Sequence, residues 1–351
     1  MIVAVLPAHQ EEAGITQAVE SLRCQTLAPD RIIVAADNCT DRTVELALAA
    51  GAEVFETVGN TSMKAGALNQ ALATLTFDSA DLVLVMDADT TLAPKFLQIA
   101  VERLDVDAGL AAVGGVFTGV PSNLVGRLQA NEWLRYARQL KRTGRVQVLS
   151  GTAAVIRQPV LEAVRQARGG LLPGREGDVY NADAATEDFC LTVALKTLGY
   201  RLASPSGCQT VTELMPSYRM LWAQRTRWYG GALQVLGMFG VRRSTLPYIA
   251  QQAMLILAVL GMAAYLALTG LLLNAGQLGL SAWGVLGVIF WVERVVTVWA
   301  GGARARLLAA LFIPELLYDL FLQAAFVASA VGRLRGRRIG WVHCGVPIVQ
   351  V

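Results

Sequence analysis

The run Leu82–Met86, LVLVM, passes directly into Asp87-Ala88-Asp89-Thr90. Few folds accommodate that order. A short apolar run rich in Val and Leu, set between helical patterns, describes a strand buried on both faces of a parallel sheet. In open α/β sheets, ligands bind beyond the carboxyl ends of the strands. Asp87 and Asp89 stand there. Alternation in an extended chain points both carboxylates the same way, with Ala88 turned aside. Two convergent carboxylates can hold a hard divalent cation, and that cation can hold a diphosphate. The plain alternative is a helix cap, a position where Asp is common. Asp-x-Asp alone is a weak motif, so the rest of the chain must decide its meaning.

The preceding residues repeat the same design. Ile2–Leu6 is a β-rich run ended by Pro7, and PAHQEE then leads into a helix with Ile15, Val19 and Leu22 at helical spacing. Arg31–Ala36 is a second strand, ending in Asp37-Asn38-Cys39-Thr40-Asp41 before a helix over 42–50. A third strand covers 53–58, and Lys64-Ala65-Gly66-Ala67-Leu68-Asn69 opens a helix to about Leu75. Alternating strands and helices with short connections specify a doubly wound α/β domain. Asp37 occupies the strand end used for ribose or base contacts in nucleotide folds, or caps the next helix. Lys64, at a helix start, suits phosphate, or is a surface lysine.

Beyond Asp89 the pattern is mixed. Residues 113–118 read as a strand with a glycine pair, 124–141 as a helix carrying Trp133, Arg135, Tyr136 and Arg138, and 147–157 as strand-like around Ser150-Gly151-Thr152. The glycine there allows close approach of a ligand to the backbone. Residues 169–183 carry Gly, Pro and charge without apolar period, which describes a flexible loop over the site. Thr186 is a natural N-cap, with Glu187 and Asp188 in the first turn of a helix closed by Gly199. Those acids can simply offset the helix dipole. In Gln224-Arg225-Thr226-Arg227-Trp228, arginine suits bidentate phosphate contact. Tryptophan offers a flat face to sugar rings. A basic amphipathic helix at a membrane surface has the same composition.

The chain of 351 residues is 54% hydrophobic and only 16% charged, against about 25% charged in an average soluble chain. The surplus lies after Leu246, where Leu, Ala, Val and Gly dominate. Residues 248–273 are long enough to cross a bilayer and carry no charge. Residues 282–300 form a second span despite Glu293 and Arg294. Residues 307–331, with Pro314, Glu315 and Asp319, are expected at the inner interface or as a re-entrant segment, a third span being the alternative. Arginines at 242–243, 304–306 and 333–338 flank these segments, and 274–281 has none. That places 274–281 outside and the C-terminus inside. A net charge of +3 gives no case for nucleic acid. Five scattered cysteines without metal spacing fit free thiols. With no basic n-region before the first strand, the soluble part is expected in the cytoplasm.

The order PAHQEE, DNCTD, KAGALN, DAD, SGT, TED, QRTRW resembles that of the family 2 glycosyltransferases. It is closest in kind to the membrane-bound, processive-type members, which include cellulose, chitin and hyaluronan synthases. The match runs from Ile2 to Trp228, and TED followed by QRxRW behind an upstream DxD is its specific part. His9-Gln10 departs from the Tyr-Asn of many members. The resemblance implies a GT-A-like α/β catalytic domain with a mainly parallel sheet over 1–215. The motif and an interfacial helix would cover 216–245, and a membrane region 246–351. It implies that Asp37 and Asp87 contact the nucleotide, that Lys64 lies near the uridine or diphosphate, and that Asp89 holds magnesium or manganese. Asp188 would be the general base, with Glu187 and Gln224 in the substrate site. Arg227 would bind the leaving diphosphate, and Trp228 would form the acceptor platform. The implied activity is inverting transfer from a UDP-sugar to a growing polysaccharide. Two spans cannot enclose a polar chain, so export would call on an oligomer or partner protein. Transfer of a single sugar to a membrane lipid is the alternative. A nucleotide-sugar sensor without catalysis is the remaining one.

Overall fold

A computed structural model describes residues 1–276 and 282–336. His343, Cys344 and most of the 274–281 loop lie outside the described residues. The chain divides into two compact units, one of residues 1–120, 139–214 and 237–239, the other of 121–138, 215–236 and 240 onward.

The first unit begins with β1 (Ile2–Ala8), α1 (Ile15–Arg23), β2 (Arg31–Ala36), α2 (Thr43–Ala49), β3 (Glu53–Glu56), α3 (Met63–Thr74) and β4 (Leu82–Met86). Every residue of β1 and β4 is buried, as expected for central strands of a parallel sheet. Burying each Leu or Val contributes about 1.5–3 kcal/mol. The helical spacing of Ile15, Val19 and Leu22 does put all three in the core. Next come β5 (Thr91–Leu92), α4 (Phe96–Val106), β6 (Leu110–Gly114) and β7 (Val116–Thr118). The helix α5 (Leu124–Thr143) follows, then β8 (Ala153–Arg157), α6 (Gln158–Ala167), α7 (Glu187–Thr197), β9 (Arg201–Ala203) and β10 (Gln209–Val211).

The main sheet has the order β3-β2-β1-β4-β8-β6-β9. β8 runs antiparallel to both neighbours, and the other pairs are parallel. A small sheet has the order β5-β10-β7. The expected single strand over 113–118 is therefore two. The chain leaves the main sheet at Gly114-Gly115, where Gly115 donates to Ala153 and Val116 to Cys208. A Cβ on Gly115 would lie 2.6 Å from Thr210 Cγ2, so the crossing needs glycine. The strand read over 147–157 starts only at Ala153.

The second unit contains the first part of α5 and most of α8 (Tyr218–Phe239), then α9 (Leu246–Asn274), α10 (Ala282–Thr297), a 3-10 turn at Trp299–Gly301, α11 (Gly302–Ala310) and α12 (Ile313–Leu334). α9 and α12 are long and apolar enough to cross a membrane. The stretch expected as a second continuous span is instead bent, by 49°, between Gly284–Thr297 and Trp299–Ala310. The stretch expected at the interface divides between the end of α11 and the continuous helix α12. Pro314 lies in its first turn, where no backbone N–H is needed. Its acids are paired. Glu315 is fully buried, meeting Arg135 at 2.9 Å and Asn131 at 2.7 Å. Asp319 pairs with Arg294. Paired acids lose most of the penalty that argued against a span.

Candidate active site

The carboxyl ends of β1, β2 and β4 carry the polar residues, and the backbone laces them together. His9 Nδ1 lies 2.5 Å from the Asp37 carbonyl. The Gln10 side chain bonds Thr40 and the Asp41 amide, and the Glu11 amide donates to Thr43 Oγ1. PAHQEE and DNCTD are thus one interlocked rim. Asp37 is nearly buried. Its Oδ1 accepts from Thr57 Oγ1 at 2.8 Å and from Asn38 Nδ2 at 2.9 Å.

Lys64 is the centre of the pocket. It rises from the first turn of α3 and pairs with Asp87, and its Nζ lies 3.0 Å from Glu187 Oε1. The surface-lysine alternative fails, because its side chain is only 16% exposed. Burial alone would lower the ammonium's pKa, but Asp87, Glu187 and Asp188 outweigh it and hold the pKa well above the ordinary value. Burial pushes Asp87 up to about 6 against the pull of Lys64. Asp188 is raised above the usual carboxylate range by burial and by Glu187, while Lys64 draws it down. These shifts are opposed in the way expected of carboxylates sharing too little positive charge.

Gly151 joins the two acidic motifs. Its carbonyl accepts from the Asp87 amide at 3.1 Å, and its amide donates to Asp188 Oδ2 at 3.2 Å. A Cβ there would meet Lys64 Nζ at 2.6 Å and Asp87 Oδ2 at 3.2 Å. The close approach read from SGT is thus to the pocket's own charged groups. Thr186 makes no capping bond. Asp188 Oδ1 accepts from the Phe189 amide instead. Burial and the salt bridge to Lys64 show that Glu187 does more than offset a helix dipole.

Asp89 differs from Asp87 in being open to solvent. Crowding on its protein side and nearby Glu213 raise its pKa, against hydrogen bonds from Thr90 at 3.1 Å and Thr212 at 3.4 Å. Glu11 is pushed up to about 8 by burial and by Asp89, Glu213 and Asp87. Excess negative charge around a solvent-open carboxylate fits a divalent cation. Among the described residues no three acid, His or Cys groups could hold one alone. Magnesium-type sites commonly use one or two carboxylates with substrate phosphates and water. Asp87 and Asp89 fit that pattern.

Sequence reasoning missed three contributors. Asn69, the last residue of KAGALN, binds the backbone of Val179 and Tyr180 through three hydrogen bonds. Buried Arg168 donates to Val179 and Pro173 carbonyls. The loop over 169–183 is therefore tied down. It sets Tyr180 in the pocket wall with Lys64, Gly151, Glu187 and Asp188. Glu11 stands beside Glu12 in PAHQEE, whereas Glu213 is a lone acid in the sequence.

Gln224, Arg227 and Trp228 lie on α8, within the second unit. There Arg225, not assigned a role from sequence, is buried beneath Trp228, its guanidinium carbon 4.3 Å from the ring centroid.

Residues 3–165 match the glycosyl transferase family 2 profile. Poly-beta-1,6-N-acetyl-D-glucosamine synthase of Staphylococcus aureus is 24% identical over 247 residues, covering 67% of this chain and 55% of that one. The probable glycosyltransferase YdaM of Bacillus subtilis is 26% identical over 254 residues, covering 68% and 56%. The chain thus spans about half the length of these relatives. A structure of the mannosyltransferase PcManGT from Pyrobaculum calidifontis, in complex with GDP-Man and Mn2+, has a similar fold, with a TM-score of 0.56 at 18% identity. That likeness covers 96% of this chain and 88% of the other. Residues 3–165 are thus similar to glycosyl transferase family 2 domains, and the fold of the first unit is GT-A-like, α/β with a mostly parallel sheet.

Proposed function

We propose that the protein is an inverting glycosyltransferase that moves a sugar from a UDP-sugar to a growing polysaccharide at a membrane. The observation that carries this reading is the convergence on Lys64. The KAGALN lysine bridges Asp87 of DAD and Glu187 of TED, and Gly151 of SGT ties Asp87 to Asp188. Asp188 takes the proton from an acceptor hydroxyl. The acceptor oxygen then bonds the donor's anomeric carbon as the bond to the diphosphate breaks. Asp37 and Asp87 contact the nucleotide, Lys64 holds the diphosphate side, and Gln224 and Glu187 complete the substrate site. Arg227 receives the leaving diphosphate, and Trp228 receives the acceptor sugar on its ring face. Asp89, with Asp87, would hold magnesium or manganese, whose charge stabilises the departing diphosphate. The similarity to a polysaccharide synthase supports a polymer product, and its export would call on an oligomer or a partner protein.

Purified protein in detergent should release UDP from UDP-sugars with magnesium or manganese and stop in chelator. Undiminished release in chelator would remove Asp89 from a metal role. Radiolabel from the donor should run as high-mass, glycosidase-sensitive material. Label found only as a lipid-linked sugar in organic solvent would instead show single transfer to a membrane lipid.

The orientation follows from the arginines. We place the catalytic unit and the segment at Arg333–Arg335 on the cytoplasmic side, with the 274–281 loop outside. Single cysteines should be labelled from outside in that loop and not beside Arg335. Outside labelling beside Arg335 would mean an odd number of crossings.

A further inference from the structure

Inside the second unit, α12 runs against the helix that carries QRTRW and contacts it over several turns. Phe321 meets Tyr218 and Trp222 edge to face at 5.3 and 5.5 Å. Phe326 meets Tyr229 at 5.6 Å. Ser329 donates to the Thr226 carbonyl at 3.1 Å, within QRTRW itself. From the other side, Gln129 of α5 binds both the carbonyl and the amide of Met215, and Asn123 binds the Pro216 carbonyl, fixing the turn that starts α8.

The polar centre of this packing is one carboxylate. Glu132 of α5 accepts from Arg225 Nη2 at 2.8 Å and from the Tyr318 hydroxyl at 2.5 Å. Arg225 is 1% exposed, and its Nε and Nη1 have no hydrogen-bond partner among the described residues. A buried cation satisfied on one edge only is a costly way to hold helices together. It also interacts with the Tyr318 hydroxyl, and Trp228 lies across its guanidinium face. Cation–π contact fixes a ring plane when the cation itself is fixed. The chain of support therefore runs Tyr318, Glu132, Arg225, Trp228, from a membrane-length helix to an indole ring.

We propose that Tyr318 and Glu132 are positioning residues for Trp228, so that α12 sets the acceptor platform as well as anchoring the chain. This rests on the reading of Trp228 as that platform, and the test separates the two. Full-chain protein in lipid vesicles is given a UDP-sugar and magnesium, and UDP release, donor KM and product length are measured. Tyr318→Phe removes only the hydroxyl, which bonds Glu132 and interacts with Arg225, and Glu132→Gln keeps the packing while weakening the grip on Arg225. Both should leave donor KM within about twofold and reduce product length by about tenfold, the scale of one contact in a coupled network. In a Trp228→Ala background, Tyr318→Phe should change nothing further. Helices held merely for stability would give effects that multiply in the double variant, and that result overturns the proposal. So does wild-type product length in both single variants. If Trp228→Ala alone leaves product length unchanged, Trp228 is not the platform, and the reading beneath the proposal falls with it.

Discussion

Asp188→Asn protein should bind UDP as the native chain does and turn over at least about a hundredfold more slowly, the usual scale of losing a general base. The substitution keeps the side chain's size and its acceptor oxygen for the Phe189 amide. It removes the ability to take a proton, together with the negative charge and the second oxygen that accepts from the Gly151 amide. Because burial and Glu187 raise the native Asp188 pKa, the wild-type rate should fall with decreasing pH earlier than a free aspartate would dictate, as the base becomes protonated. The asparagine variant should lose that acidic limb. Initial rates across pH, with UDP affinity measured separately, check both parts. A variant close to wild-type rate would move the base elsewhere. Glu187 would be a poor successor, since it is buried and engaged with Lys64.

Lys64→Met should damage both folding and donor binding. Methionine keeps the length of the stem but strands Asp87 and Glu187 without their shared cation. Breaking a buried ion pair from one side costs about 3–5 kcal/mol. The unfolding midpoint should drop accordingly, and UDP affinity should fall with it. The drop should be smaller at about pH 5 than at about pH 8, because protons can then neutralise the stranded carboxylates. Thermal unfolding at the two pH values measures this. An unchanged midpoint at both would show that Lys64 is not the centre of charge in the pocket.

Much of the first unit could be read from local pattern. Strands such as Ile2–Ala8 and Leu82–Met86 are buried on both faces, so their runs are continuous and their ends are marked by the first polar residue. The candidate site residues of that unit were legible for the same reason, since each stands just past a strand or at a helix start. What escaped was set by distant partners. The three-residue strands β9 and β10 have too little sequence to show a period. Tyr180 is ordinary in sequence and gains its place only because Asn69 and Arg168 hold its loop. Arg225 and Glu132 lie far apart in the chain, and no spacing announces that they meet. In α12, Pro314, Glu315 and Asp319 look like interruptions until the helix start and the partners of the two acids are seen.

The peptide at Gly151 limits how chains of this design can be recombined. Its carbonyl is fastened to the turn after β4 and its amide to the start of α7, and it leaves no room for a side chain. A chimera that takes β4 from one parent and α7 from another joins two halves of one fastening. Unless the segment around residue 151 comes from a parent with the same spacings, the Asp87 end and the Asp188 end of the pocket lose their common reference. Crossover points placed before β4 or after α7 leave that fastening whole.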